Sequence, residues 1–223
     1  MKEFAKSLGC HHIVRNSNEL ANPSYQKNPV NRCFFCKDEL YSRIEDLAPE
    51  LGVSAICSGA NLDDRGDYRP GLKAAADHRV RHPLQEAGFT KADVRALARH
   101  WGLPTWDKPA SPCLSSRLVP GLEVTPERPR RIEEAEAYLR GLGLRELRVR
   151  LHEGDLARIE VPADAIARLA EPAIREALAH TLKELGFRYV TLDLEAFRSG
   201  NLNDLVPLDT KRLFATANSG TSP

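Results

Sequence analysis

Val53-Ser54-Ala55-Ile56-Cys57 leads straight into Ser58-Gly59, and this short apolar run sets the fold class. Five apolar or small residues ending at Ser-Gly are the pattern of a buried strand of a parallel sheet opening into a loop. Helical rhythm lies on both sides. Before the run, Cys33–Leu47 carries Leu40, Ile44 and Leu47 at helical spacing. After it, Thr90-Lys91-Ala92-Asp93 is a capping box that opens a helix to about Trp101, closed by Gly102. Nearer the N-terminus, Lys2–Leu8 reads as a helix stopped by Gly9, and His12–Arg15 as another short strand. Helices alternating with short apolar strands predict an α/β domain built on a parallel sheet.

The pattern changes further along the chain. Leu103–Gly121 is a long loop punctuated by Pro104, Pro109, Pro112 and Pro120, and the flanking Trp101 and Trp106 read as rings packed on the sheet edge. Thr125-Pro126 supplies an N-cap and a proline at the first helical position for a helix to about Leu139. Glu146–His152 and Ala157–Val161 alternate like paired strands, and helices at Pro162–Leu169 and Pro172–Leu185 precede a strand at Arg188–Leu194. The expected organisation is an α/β domain over residues 1–121, a small α+β domain over 122–196 and a flexible tail over 197–223.

Composition narrows the class. Of 223 residues, 42% are hydrophobic and 28% charged, with 32 basic against 31 acidic residues. Such a chain can bury a sizeable core, and no run approaches the ~20 apolar residues of a membrane span. The near-zero net charge argues against a nucleic-acid surface. The N-terminus has no apolar segment after its basic residue, so no secretory signal is expected. Five cysteines, an odd number in a chain this long, read as reduced thiols or metal ligands in a cytoplasm.

Cys33-Phe34-Phe35-Cys36 presents two thiols at the start of a helix, where the helix N-terminus is expected to lower their pKa. A metal pair, a redox dithiol and two half-buried small hydrophobes all have this spacing. No fourth ligand lies at finger-like spacing for zinc. Cys57, within the apolar run, reads as a core residue, and neither Cys10 nor the neighbouring His11-His12 takes a role. Cys113 lies in Lys108-Pro109-Ala110-Ser111-Pro112-Cys113-Leu114-Ser115-Ser116-Arg117, where no apolar periodicity explains a core cysteine. Lys108 and Arg117 are close enough in sequence to favour its thiolate. A pair and a singlet of thiols suit an iron–sulfur cluster with one open iron better than structural zinc.

The loop Ser58–Gly71 leaves the C-terminal end of the predicted strand, where α/β folds place ligands. Its Asn61, Asp63, Asp64, Arg65, Asp67 and Arg69 are groups that bind magnesium, phosphate or ribose; a solvated turn is the plainer alternative.

Three segments taken together carry a resemblance. Asn28-Pro29-x-Asn31-Arg32-Cys33-Phe34-Phe35-Cys36-Lys37, Asn61-x-Asp63-Asp64-x-Gly66-Asp67-Tyr68-Arg69-Pro70-Gly71 and Pro104-Thr105-Trp106-Asp107-Lys108-Pro109-Ala110-x-x-Cys113-Leu114-x-Ser116-Arg117 are similar to the LarE family. These are ATP-dependent sulfur transferases of the PP-loop superfamily, with an adenine nucleotide alpha-hydrolase-like parallel sheet, that help to build the nickel-pincer nucleotide cofactor. The resemblance runs from residue 1 to about 195. It implies a pyridinium biscarboxylic acid mononucleotide as substrate, with ATP and Mg2+ adenylating a carboxylate and sulfur then displacing AMP. In some members the cysteine matching Cys113 gives up its sulfur and becomes dehydroalanine. In others three cysteines, matching Cys33, Cys36 and Cys113, hold a 4Fe–4S cluster fed by sulfide or another sulfur donor.

The resemblance further implies substrate or phosphate contacts from Asn61, Asp64, Asp67, Arg69 and Arg117. Arg148 and Glu160 match positions near a phosphate and metal site, with Glu153 as a one-residue insertion between them. It also implies a homo-oligomer. The Ser-Gly-Gly-x-Asp-Ser motif that cradles the ATP pyrophosphate in PP-loop enzymes does not occur in these 223 residues. The expectation is therefore a chain that begins after roughly the first quarter of the family's domain and takes ATP and Mg2+ where that N-terminal segment is supplied. A tRNA-thiolating PP-loop enzyme and a non-catalytic or split-subunit fragment without its own ATP site remain the alternatives.

Overall fold

The computed structural model describes residues 2–66, 68–109, 111–198 and 206–211. Its elements follow in chain order as α1 (Lys2–Ser7), α2 (Pro23–Gln26), α3 (Arg32–Leu51), α4 (Pro70–Asp77), α5 (Pro83–Glu86) and α6 (Lys91–His100). After them come α7 (Glu127–Gly141), β1 (Arg148–His152), β2 (Leu156–Glu160), α8 (Ala163–Ala170), α9 (Pro172–Glu184) and β3 (Tyr189–Leu192).

The local signals that need only neighbouring residues are obeyed. Thr90 and Asp93 close the reciprocal capping box of α6. Helix α3 ends where Gly52 takes the left-handed conformation at φ 62°, a place glycine fills without strain. Helix α7 begins one residue later than Thr125-Pro126 implies, with Pro126 as its cap.

The mixed helix and sheet architecture agrees with the α/β class, but the sheet belongs to the second half. Strands β1 and β2 are antiparallel, Arg148 facing Glu160, and β3 runs parallel to β2. A parallel pair needs a long crossover, and α8 with α9 supplies it. The main core lies between this sheet and α7, where Ile132, Leu139, Val149, Leu151 and Ile159 are essentially inaccessible. Each such side chain contributes about 1.5–3 kcal/mol of burial.

Val53–Cys57 departs from expectation. It forms no strand; Cys57 makes one isolated parallel bridge to Arg81, Val53 is 48% exposed and Cys57 is exposed. A buried strand requires neighbours on both edges and both faces, and among the described residues this run has one bridged partner. His12–Arg15 likewise forms no strand and is exposed. Trp101, 64% exposed, does not pack on a sheet edge, and Trp106 stacks instead under the Arg99 guanidinium at 5.0 Å.

A second, smaller core joins α3 to α4 through Tyr41, Ala74, Ala75 and Val80, with Phe34, Ile44 and Ile56 against them. Gly71 lets the start of α4 sit on the first turn of α3. A Cβ there would come within 3.0 Å of Lys37 Cγ and 3.6 Å of the Cys33 carbonyl. The same two helices are pinned by His78, whose Nε2 lies 2.9 Å from Asp38 and Nδ1 2.9 Å from Glu45. Carboxylates only accept, so both ring nitrogens must donate and the ring must be cationic. The Asp38 hydrogen bond above all, then Glu45, raises the His78 pKa against the opposing effect of burial.

A pH dependence follows from that geometry. With the folded pKa above the unfolded one, the contact's contribution to stability is whole below about pH 6.5 and is lost as pH rises through the raised value. His78→Gln should therefore lower the urea midpoint more at about pH 6 than at about pH 8.5. An equal loss at both would show that packing, not charge, carries the contact.

Candidate functional site

Cys33 and Cys36 stand on the first turns of α3, and their spacing puts both thiols on one face. Arg32, just before them, is buried and ties that helix to the distant proline-rich loop. Its guanidinium donates to Asn28 Oδ1 at 2.5 Å and to the Ser115 carbonyl at 2.6 Å, and lies 4.0 Å from Cys113 Sγ. Tyr25 pairs with Ser115 Oγ at 2.9 Å. These contacts bring Cys113 to the mouth formed by Cys33 and Cys36.

The loop is clamped from the other side by α7. Arg117, 2% exposed, directs Nε to Glu136 at 3.0 Å and donates through Nη1 to the carbonyls of Pro112 and Cys113. Glu136, 0% exposed, also accepts from Arg140 at 2.7 Å and from the Val149 amide at 3.3 Å. Arg117 thus turns inward and holds the backbone of Cys113, and it does not line the cleft described below. In the same way Arg150 forks onto both oxygens of Glu160, at 3.1 and 3.0 Å, and reaches the Ser116 carbonyl with its third nitrogen. Glu160, fully buried and shared with Arg158, is enclosed in an ion-pair network.

Cys36 differs from expectation. Burial first, then the nearby Glu19 carboxylate and the other two thiols, push Cys36 up to about 11, so it is a neutral thiol at neutral pH. The helix N-terminus does not outweigh those effects. Cys33 and Cys113 are exposed. The donor types would suit an iron–sulfur cluster. In this arrangement, however, no three His, Cys, Asp or Glu side chains among the described residues close on a shared metal position.

Next to this mouth opens a cleft of about 850 Å³. Ser111, Pro112 and Ser116, the neighbours of Cys113, form part of its wall. Asn61, Asp64 and Arg69 face into it from the loop after Cys57, and Arg148 and Arg150 from the edge of the sheet. Asn61 is buried and organises its own turn, its Oδ1 accepting from the Asp63 amide at 3.1 Å while Asp64 accepts from the Asn61 amide at 2.8 Å. Asp64 pairs with Arg69 at 2.9 Å. Asp67 lies outside the described residues.

Seven Lys and Arg side chains against three carboxylates line the cleft, an excess that suits a phosphate or polycarboxylate ligand. Arg148 sits between like charges; burial first and then Arg117 lower its pKa, so an anion beside it would relieve that repulsion.

Several site residues escaped the sequence reading. Arg145 and Lys91 carry no motif, and Arg198 with Phe197 falls where a flexible tail was expected, yet all four line the cleft. Arg32 and Glu136 carry no local signal of a role in the sequence. Only their burial distinguishes them.

No protein-family model matches the chain. It is 41% identical over 214 residues to the pyridinium-3,5-bisthiocarboxylic acid mononucleotide synthase of Lactiplantibacillus plantarum, covering 96% of this chain and 75% of that protein. An uncharacterized protein of Synechocystis sp. is 47% identical over 199 residues, 89% of this chain and 74% of its own length. An uncharacterized Methanocaldococcus jannaschii protein is 28% identical over 173 residues, 78% of this chain and 66% of its own.

Proposed function

The chain belongs to the LarE family, and on that footing we propose that it transfers sulfur to a carboxylate of a pyridinium biscarboxylic acid mononucleotide in nickel-pincer cofactor synthesis. The observation that carries this reading is the meeting of Cys113 with Cys33 and Cys36 beside an arginine-rich cleft. A carboxylate is a poor electrophile, so the reaction begins by adenylation. A carboxylate oxygen attacks the α-phosphorus of ATP, and pyrophosphate leaves with the electron pair of the broken P–O bond. Sulfur then attacks the acyl carbon and AMP departs with the electrons of the C–O bond.

With Cys113 Sγ as nucleophile, the thiol proton is lost and a thioester forms. Removal of the Cys113 Cα proton then expels the thiocarboxylate and leaves dehydroalanine, without net oxidation. The residues of the cleft do the rest. Arg69 and Arg148 hold anionic groups of the nucleotide, Asn61 and Asp64 shape the opposite wall, and Arg117 through Glu136 keeps the Cys113 backbone in place. A 4Fe–4S cluster, if the three cysteines closed around one, would supply an iron able to carry a transferable sulfide.

Incubation without oxygen with sulfide and the preformed acyl adenylate of the biscarboxylic mononucleotide, which needs no ATP site, is expected to release AMP and give a product heavier by one oxygen-for-sulfur exchange than the parent nucleotide. Mass spectrometry of product and protein, with iron and sulfide analysis of the chain, reads the result. Nucleotide left unthiolated by the complete mixture would refute the proposal, and thiolation of tRNA in its place would favour the tRNA-modifying alternative.

A further inference from the structure

We infer that Phe197 is the ring-recognising residue of the cleft, selecting a ligand whose anionic arms are joined to a flat nitrogen heterocycle. The inference rests on reading the cleft as a mononucleotide site, and it names the part of the ligand that charge alone does not select.

The chain after β3 places this residue with care. Asp193 and Phe197 donate from their amides to the carbonyls of Ile159 and Val161, both at 2.8 Å, so the segment continues along β2 beyond the end of β3. Between those two bonds, three residues stand where a regular ladder would hold one, and the excess is absorbed at Ala196, whose φ is +66°. A non-glycine residue in the left-handed region costs about 1–2 kcal/mol. Strain of this kind persists where surrounding contacts over-determine it, and it collects at ligand sites. The Asp193 carboxylate takes the Glu195 amide at 2.9 Å, and Glu195 holds Arg198 at 3.2 Å, so the excursion is pinned on both sides of Ala196.

The result is an aromatic ring in the cleft wall, with the Arg148 guanidinium over it at 5.1 Å. Among the described residues lining the cleft, Phe197 is the one aromatic side chain; the others are charged, polar, Gly or Pro. Arg148 is stacked on the ring and donates through Nη1 to the Leu147 carbonyl at 2.6 Å, which fixes its charge at the cleft wall. With Arg148 over one face of the ring, it is the π electrons of the opposite face that attract a planar, electron-poor ring such as a pyridinium. A phosphate or carboxylate on the same ligand then falls within reach of the arginines. A simple polyanion would gain nothing from Phe197.

The test uses the full 223-residue chain and two probes sharing sugar and phosphate: nicotinamide mononucleotide, which has a pyridinium ring, and ribose 5-phosphate, which has none. By titration calorimetry the unaltered chain is expected to bind the first about tenfold more tightly, within the range of a single ring stack. Phe197→Leu should bring the two affinities within about twofold of each other, and Phe197→Tyr should keep the preference. Circular dichroism establishes that each variant is folded. An unaltered chain that binds both probes equally, or a Phe197→Leu chain that keeps the preference, overturns the inference and leaves the anion site standing. An unaltered chain that binds neither probe overturns the mononucleotide reading of the cleft itself, and this inference with it.

Discussion

On the proposed function, Cys113→Ala is expected to abolish sulfur transfer, by at least about a thousandfold, while leaving the urea unfolding midpoint of the chain where it was. The separation of the two effects follows from how the residue is held. Its side chain is exposed, and Arg32 lies 4.0 Å from Sγ, too distant to contribute much. The structural contacts come from its carbonyl, which accepts from Arg117 at 2.8 Å, the Ser116 amide at 3.0 Å and Ser116 Oγ at 2.6 Å. Alanine retains all of them, so the stability change should stay within about 0.5 kcal/mol.

The companion variants Cys33→Ala and Cys36→Ala make the result diagnostic. Transfer lost only in Cys113→Ala assigns the sulfur to that residue; transfer lost equally in all three assigns it to a cluster that they hold together. Full turnover by Cys113→Ala would place the sulfur-bearing atom elsewhere.

Glu136→Ala is expected to cost about 3–5 kcal/mol, a large share of the roughly 5–15 kcal/mol that holds a typical domain together. Glu136 is inaccessible and compensates two arginines at once, Arg117 at 3.0 Å and Arg140 at 2.7 Å. Arg117 is as deeply buried as its partner, so truncating the carboxylate leaves a guanidinium in the core with one counter-charge fewer. The Val149 amide, at the start of the sheet, loses an acceptor as well.

Chemical denaturation followed by far-ultraviolet circular dichroism reads the loss. At temperatures where the variant remains folded, sulfur transfer should also fall, because Arg117 no longer has the partner that aims it at the Cys113 carbonyl. A variant as stable as the parent would mean that water replaces the carboxylate and that the network is not the clamp described.

How far the chain could be read in advance depended on the range of the interaction. The capping box at Thr90, the alternation through Arg148–Glu160 and the glycine stop at Gly102 act over a few residues, and the structure repeats them. Val53–Cys57 has the composition of a buried strand, but burial is set by what lies beside a segment, and here the run meets one bridge to Arg81 and, through Ile56, the edge of the smaller core. Cys36 carries the spacing of a helix-start thiolate, yet desolvation and Glu19, seventeen positions earlier in the chain, push it the other way.

Arg117 and Arg148 show the same limit at the site. The two arginines look equally suited to a phosphate in the sequence; one is consumed by Glu136 in the core and the other faces the cleft. Phe197, two residues short of a Ser-Gly pair in a polar stretch, carries no local mark of its place beneath Arg148.

By itself, then, the sequence determined the chemical inventory and the family: three cysteines in two distant motifs, a loop of aspartates and arginines, and the helix and strand periods of the second half. Those are properties of residue type and near-neighbour spacing, which backbone geometry converts directly into local structure. The tertiary structure alone decided which charges face the ligand and which are spent inside. Desolvation and pairing across eighty or more residues, as between Arg32 and Ser115, depend on distances that the order of residues does not contain.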